Sequence, residues 1–220
     1  QLANHHGLMI AGEAALSNWD AGMDMYIYGK LGNLIMTKEG INVLMTNLTG
    51  KVPPILQRLD YIRFNGEAAG YLHDLTLTGL FYTGAGMVKT DVMMSIDEQS
   101  MSRTYSGSVA SADLDLGKLL NQEKKFGKVD FNVELKGFNY KNRYPESYIK
   151  GIISSFEYSQ YQYENIMLDG VYKDGGFNGR LSMDDANGSV QIDGNFNVAK
   201  TLPDFNLKAS VKNLRPHDLH

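Results

Sequence analysis

The chain of 220 residues has no cysteine, five prolines and a single tryptophan. Without cysteine, disulfides, thiolate metal ligands and cysteine nucleophiles are excluded, while the redox compartment stays open. No run of about 18 apolar residues occurs, so the sequence contains no transmembrane helix. It also lacks a basic segment followed by an apolar run, the pattern of a signal peptide. Because the chain begins at Gln1 and ends at His220 in a polar, strand-like phrase, we expect it to be a segment of a longer protein.

The charge balance is mild, with 21 Lys and Arg against 25 Asp and Glu and a net charge of −4. Nucleic-acid-binding proteins usually carry a basic stripe, so this balance indicates no nucleic-acid partner. An apolar share of 43% and a charged share of 21% are typical of a globular protein rather than a disordered one. The 23 glycines, combined with few prolines, predict many strands and many turns.

Alternation of apolar and polar residues is the main pattern in the sequence, and it places alternate side chains on opposite faces of a strand. It is cleanest in residues 129–137, 190–198 and 205–212, and it also runs through residues 88–96. A polar, solvent-exposed (wet) face opposite an apolar (dry) face is typical of an antiparallel sheet. The strands of a parallel sheet are buried on both faces and therefore have continuous apolar runs. The predicted fold class is therefore all-β, an elongated antiparallel meander of long hairpins.

Turn residues separate these runs. Residues 83–86, 173–176 and 187–188 contain glycine or asparagine, which tolerate positive φ in hairpin turns. The same chemistry predicts a turn at residues 38–40, followed by an early strand at residues 41–43.

Helical patterns are limited to two short segments. Residues 53–59 begin with two prolines, which the first turn of a helix tolerates, and residues 113–120 are the second candidate. One or two helices this short cannot cover a large sheet, so its apolar face has to be buried in another way. We expect the sheet either to fold over on itself as an open sandwich or to curl into a trough that holds an apolar ligand.

An internal similarity appears at a spacing of about 90 residues. Residues 75–81 resemble residues 166–172, residues 94–97 resemble residues 181–184, and residues 108–114 resemble residues 210–214. Three similar phrases in the same order predict a repeated β module. We assign residues 1–120 to a first module and residues 121–220 to a second module that continues the same sheet.

The sequence contains none of the motifs that mark common active sites, such as Gly-x-Ser-x-Gly, His-Glu-x-x-His or a Walker-type glycine loop. The carboxylate pairs Asp113/Asp115 and Asp184/Asp185 lie in turn or helix-start contexts, where aspartate is expected as a capping residue. We therefore predict that the chain is not an enzyme and that it binds neither a metal nor a cofactor.

The residues predicted for the dry face are candidates for contact with an apolar ligand. They are Val129, Phe131, Val133, Leu135, Ile192, Phe196, Phe205, Leu207 and Val211. Several of the 11 methionines are assigned to the same face, namely Met23, Met25, Met36, Met45, Met94 and Met183. Methionine is flexible and adapts to varied neighbours, so such a face suits either a protein core or mobile acyl chains.

Two stretches resemble a known family. Residues 163–187, with the phrases ENIMLDGVYK and GFNGRLSMDD, are similar to a recurring stretch of TamB proteins, the translocation and assembly module subunits within the AsmA-like group. Residues 205–214 resemble the phrase Phe-x-x-x-Ala-x-Val-x-Asn-Leu that ends such a repeat. The likeness is greatest to versions from Bacteroides-type bacteria and covers residues 100–220 best. It identifies the chain as a middle segment of such a protein.

The resemblance implies a large periplasmic protein, anchored in the inner membrane by a helix outside this segment, whose sheets curl into a taco-like trough with an apolar interior. It implies roles in phospholipid transport towards the outer membrane and in the assembly of outer-membrane proteins. The partners expected from it are phospholipid acyl chains and an outer-membrane barrel protein, and a dimer of the segment is a further expectation. The alternative function is that of a β-sandwich adhesin or a carbohydrate-binding module.

Overall fold

The computed structural model describes residues 2–5, 7–18, 24, 26–71, 73–97, 99–100, 102–139, 146–197 and 203–213. These residues form one antiparallel sheet of 13 strands, in which each strand pairs with the next strand along the chain. The sheet does not close on itself, and three short helices accompany it. The predicted all-β antiparallel meander is therefore confirmed.

The elements follow one another in a simple order. The strands are β1 (Leu2–His5), β2 (Leu8–Ser17), β3 (Tyr26–Thr37), β4 (Tyr61–Tyr71), β5 (Asp74–Thr83), β6 (Gly86–Asp97), β7 (Ser102–Asp115), β8 (Phe126–Asn139), β9 (Glu146–Tyr158), β10 (Tyr161–Lys173), β11 (Gly176–Asp185), β12 (Gly188–Asn197) and β13 (Asp204–Lys212). The helices are α1 (Lys38–Thr49), α2 (Pro54–Gln57) and α3 (Leu116–Leu120).

The clean alternating runs form strands where the pattern predicts them. Residues 129–137 lie in β8, and residues 205–212 lie in β13. Turns of two residues join β5 to β6, β10 to β11 and β11 to β12, at residues 84–85, 174–175 and 186–187. These three predicted turns are confirmed.

Helix α1 corrects the prediction for the segment after β3. The turn predicted at residues 38–40 and the strand predicted at residues 41–43 are both wrong, because α1 begins at Lys38. The helices predicted within residues 53–59 and 113–120 are confirmed as α2 and α3. The part of the chain that the structure describes therefore contains α1, α2 and α3 rather than the one or two short helices expected.

Two local features make the α1 segment helical. The Thr37 side chain caps the helix by accepting a hydrogen bond from the Gly40 N–H at 3.4 Å, and the helix stops at Gly50, which has a left-handed backbone. Ile41 and Met45 are four residues apart, a spacing that puts both on one face of a helix. Ile41 is 1% exposed, and Met45 packs against the same core cluster.

All three helices lie at the same end of the strands, which we call the closed end. α1 and α2 connect the last residue of β3 to the first residue of β4, and α3 connects β7 to β8 at that end. The core cluster found here consists of Met36, Ile41, Leu59, Ile62, Ala85, Leu114, Leu119 and Val129. Lys118 Nζ lies 2.7 Å from Asp60 Oδ2, and this ion pair links α3 to the segment before β4. None of these three helices lies at the opposite end, which we call the open end.

Paired glycines lie on the face of the sheet that holds this core. Gly66 of β4 lies directly opposite Gly79 of β5, and Gly170 of β10 lies opposite Gly179 of β11. A methyl group on Gly79 would lie 2.7 Å from the Gly66 Cα and 2.7 Å from a carbon of the Phe64 ring, so a side chain does not fit there. Strands use glycine where another backbone approaches this closely, and such positions let a sheet curl.

The internal similarity corresponds to one shared hairpin. The first pair of phrases lies on β5 and β10, and the second pair lies on β6 and β11. The third pair lies on β7 and β13, although the strand equivalent to β7 would be β12. Val198 and Leu214, which end two of the predicted strand phrases, lie outside the described residues. The module boundary at residue 120 stays a prediction, since the sheet continues from β7 into β8.

Substitution of one of the paired glycines should destabilise the chain. We expect Gly79→Ala to lower the free energy of unfolding by about 1–3 kcal/mol, because the added methyl group overlaps backbone that cannot move aside. Urea denaturation followed by circular dichroism measures this change. Gly32→Ala is the matched control, since the nearest atom to its added methyl group would be the Ala11 carbonyl oxygen at 3.8 Å. Equal losses in the two variants would contradict the role given to the glycine pair.

Candidate functional site: a sheet with an apolar and a charged face

The strand registers align residues into mostly apolar rows that cross the sheet. One row consists of Phe64, Phe81, Val88, Ser111, Phe131, Ile153, Ile166, Met183, Val190 and Val211. Another consists of Ala68, Leu77, Val92, Gly107, Leu135, Ile149, Gly170, Gly179, Gly194 and Leu207. We call the side of the sheet on which the side chains of these two rows lie the apolar face.

All nine residues predicted for the dry face lie on this apolar face. The buried one is Val129, which belongs to the core cluster at the closed end. The half-buried ones are Phe131, Val133, Leu135 and Ile192. The exposed ones are Phe196, Phe205, Leu207 and Val211, on the last two strands. The structure thus brings the nine residues onto one surface whose exposure increases towards β13.

The apolar face is covered unevenly along the length of the strands. Near the closed end the helices pack on it, and Met36 is buried there. Towards the open end, Met94 and Phe205 remain 46% and 59% exposed. Met183 also lies on this face, while Met23 and Met25 lie outside the described residues. Protein atoms therefore fill the apolar face beneath the helices, whereas Met94, Phe205 and also Val211, which is near the closed end of β13 and 51% exposed, remain accessible.

The opposite face of the sheet carries a line of mainly charged residues, which we call the charge ladder. From β2 to β13 its members are Glu13, Lys30, Glu67, Thr78, Asp91, Ser108, Glu134, Lys150, Asp169, Arg180, Asp193 and Lys208. Each member is the direct cross-strand partner of the next. From β8 to β13 the charge alternates in sign at every strand, and directly opposed opposite charges stabilise a sheet.

Short polar contacts connect neighbouring members of the ladder. Lys150 Nζ lies 3.4 Å from Asp169 Oδ2, and Arg180 Nε donates a hydrogen bond to Asp193 Oδ1 at 2.6 Å. The Tyr148 hydroxyl donates to Asp169 Oδ1 at 2.9 Å. The hydrogen bond from Tyr148, followed by the contacts with Lys150, lowers the pKa of Asp169 from its ordinary value of 3.8, partly opposed by burial. The same hydrogen bond raises the pKa of Tyr148.

The carboxylate pair at the end of β11 does not form a catalytic pair. Asp184 and Asp185 are consecutive residues of a strand, so their side chains lie on opposite faces of the sheet. Asp185 Oδ1 instead accepts hydrogen bonds from the Tyr161 hydroxyl at 2.6 Å and from the Asn187 N–H at 2.8 Å. Within the described ranges, no group of three or more histidine, aspartate or glutamate residues is placed to hold a metal ion.

The charged face also carries surface depressions. One of about 420 Å³ is bordered by Met93, Tyr148 and Val171, and another of about 520 Å³ lies over the charge ladder beside Ile152 and Met167. Both are formed by side chains of neighbouring strands. Reasoning from the sequence missed the ladder and these depressions, because both depend on which strands are neighbours and in which register.

Comparison with known proteins leaves the chain without an identified relative. No protein-family model, curated protein or solved structure matches it. The likeness to TamB proteins therefore rests on the two sequence stretches already quoted. In the part of the chain that the structure describes, none of the helices has the length and apolar composition needed to cross a membrane.

Removal of one acidic member of the ladder should change how stability depends on pH. The folded-state pKa of Asp169 is lowered, so its stabilising contribution is present above about pH 4 and is lost as the pH falls through that folded-state pKa. We expect the urea midpoint to be lower for Asp169→Asn than for the wild type at neutral pH, and the two midpoints to converge in acid. Asp174→Asn, in the turn between β10 and β11, serves as the control. A constant difference between wild type and Asp169→Asn at every pH would contradict this account.

Proposed function

We propose that this chain is a non-enzymatic segment of a cell-envelope protein that shelters phospholipid acyl chains on the apolar face of its sheet. In this role it takes part in phospholipid transport, outer-membrane protein assembly, or both. The observation that supports the proposal is a mostly apolar face across the strands, which α1, α2 and α3 cover only near the closed end. A contiguous exposed apolar surface of this kind marks a site of interaction with another apolar body.

The dimensions of the apolar face suit acyl chains. On β13 the apolar residues run from Phe205 to Val211, which is about 20 Å at about 3.4 Å per residue. The hydrocarbon core of a bilayer is about 30 Å thick, so the acyl chains of one leaflet span about 15 Å. Acyl chains lying along β13 would therefore fit within this stretch.

The proposed mechanism is passive. Each methylene group removed from water contributes about 0.8 kcal/mol, so the apolar face lowers the free energy of an acyl chain without any covalent step. The open end leaves the polar head group in water, which avoids the cost of burying it. Because the rows cross many strands without a break, an acyl chain meets similar surroundings as it moves from one strand to the next.

The cellular setting rests on the resemblance to TamB proteins. By that likeness the chain lies in the periplasm as part of a longer protein that is anchored in the inner membrane. An outer-membrane barrel protein is the expected protein partner, and phospholipid is the expected cargo. Nothing in the charge balance favours nucleic acid as a partner.

A charge placed on the apolar face should expel bound phospholipid. We expect the wild-type chain, purified from a phospholipid-rich host, to retain phospholipid in native mass spectrometry. Leu207→Glu should lower the retained fraction by about tenfold, because a carboxylate beside an acyl chain is poorly solvated. Leu207 is 43% exposed, so this substitution disturbs little of the folded core.

Ser210→Glu is the matched control for this experiment. Ser210 lies on the same strand but on the charged face, opposite Gln191. This variant should retain as much phospholipid as the wild type. Absence of phospholipid from the wild-type chain, or equal losses in both variants, would contradict the proposal.

A further inference from the structure

The charged face carries large apolar side chains near the middle of the sheet. Ile152 of β9 and Met167 of β10 are direct cross-strand partners, and they are 49% and 52% exposed. On the other side of the charge ladder, Tyr148 and Val171 form a second such pair, in which Tyr148 is 38% exposed. β8 to β11 are interior strands, each paired on both sides, so this surface does not depend on where the sheet ends. Exposed apolar side chains bordered by polar ones mark an interaction surface.

Three cross-strand rows of β8 to β11 form this surface, which we call the central patch. The middle row is the part of the charge ladder formed by Glu134, Lys150, Asp169 and Arg180. The row on one side consists of Asn132, Ile152, Met167 and Ser182. The row on the other side consists of Lys136, Tyr148, Val171 and Asn178. Both outer rows thus have apolar residues on the two middle strands and polar residues on the two flanking strands.

The charges of the central patch are complementary to themselves. A two-fold axis that runs parallel to the strands, midway between β9 and β10, would place β9 of one copy on β10 of a second copy and β8 on β11. Lys150 then faces Asp169 of the second copy, and Glu134 faces Arg180 of the second copy. Every contact between ladder charges of the patch therefore joins opposite signs, which favours one partner and one orientation.

The apolar pairs select the position of this axis. An axis passing through a strand would stack each charge of that strand on its own copy, for example Asp169 on Asp169. An axis between β8 and β9 would stack Ile152 on the polar side chain of Asn132. Only the axis between β9 and β10 places Ile152 on Met167 and Tyr148 on a valine while it keeps opposite charges together. The apolar pairs and the charges therefore specify the same arrangement.

The central patch also has room for side chains of a second copy. The depression of about 420 Å³ is bordered by Tyr148 and Val171, and the depression of about 520 Å³ is bordered by Ile152 and Met167. Stacked sheets lie about 10 Å apart, so side chains from the two faces interdigitate. Because stacked sheets also cross at about 30°, close contact is confined to strands near the axis, and these are the strands of the patch.

We propose that a second copy of this chain docks on the central patch and forms a closed dimer with two-fold symmetry. In this dimer the charged faces are stacked, both apolar faces point outwards, and each contact occurs twice. A partner of a single charge sign gains little here, because the middle row of the patch has two acidic and two basic residues. The proposal is independent of acyl-chain binding, which uses the other face of the sheet.

Charge reversal in the full chain tests the proposal. Sedimentation velocity over a range of concentrations should show a reversible equilibrium between monomer and dimer. Glu134→Arg and Arg180→Glu should each weaken dimerisation by at least about tenfold, because each places like charges together twice across the interface. Within one copy the two positions are three strands, or about 14 Å, apart and do not contact each other.

An equimolar mixture of these two variants should dimerise like the wild type. Both charge contacts between Glu134→Arg and Arg180→Glu chains again join opposite signs, whereas a misfolded variant could not be rescued by mixing. Each variant alone should retain phospholipid like the wild type, since neither changes the apolar face.

Glu67→Arg is the matched control, because it makes the same change in the charge ladder but lies on β4, outside the central patch. Glu67 has one lysine and one hydroxyl residue as neighbours in the ladder, as Glu134 has. This variant should dimerise like the wild type. A wild-type chain that is monomeric at every concentration would overturn the proposal. So would association beyond a dimer, a dimer that Glu134→Arg leaves intact, an equal loss in Glu67→Arg, or a mixture that stays monomeric.

Discussion

Every strand of this sheet has to keep one apolar face and one polar face, and the rest of the structure depends on that constraint. In β10, Leu168 lies on the apolar face and Asp169 on the charge ladder. A slip of one residue in any hairpin would exchange these two faces. It would break the cross-strand contacts of Lys150 and Arg180 and move charges into the apolar surface, where an unpaired charge is costly. The charge ladder on one face of the sheet and the apolar rows on the other face therefore specify the same strand register.

The core of the protein is small for its length. Ten apolar residues are buried among those described, and eight of them form the cluster beneath the helices at the closed end. The remaining apolar face is half-buried by its own neighbours or, on the last two strands, exposed, and the sheet does not close on itself. A sheet of this size normally buries its apolar face against a second layer. The absence of such a layer over the described open end is the reason to propose that a mobile apolar ligand occupies it.

The sequence predicts local features such as strands and hairpin turns. It does not predict features that depend on which strands pair in the sheet. Alternation in residues 129–137 and 205–212 identifies two strands and the face of every residue in them, and the glycine turns identify the hairpins. Helix α1 escapes detection because Ile41 and Val43 alternate with Asn42 as a short strand would, and its limits are set by the side-chain cap at Thr37 and the left-handed backbone of Gly50. The charge ladder cannot be recognised from the sequence, since Lys150 and Asp169 become neighbours only when β9 and β10 pair in their register.

The proposed function requires acyl chains to contact one face of the sheet and not the other. Adjacent residues of β10 test it most directly, because Leu168 lies on the apolar face while Met167 is 52% exposed on the charged face. A photoreactive benzoylphenylalanine replaces either residue, and adducts with phospholipid are measured by mass spectrometry after irradiation in phospholipid-rich cells. We expect adducts at position 168 and few at position 167, although Met167 is the more accessible residue. Equal yields at the two positions, or a higher yield at position 167, would contradict it.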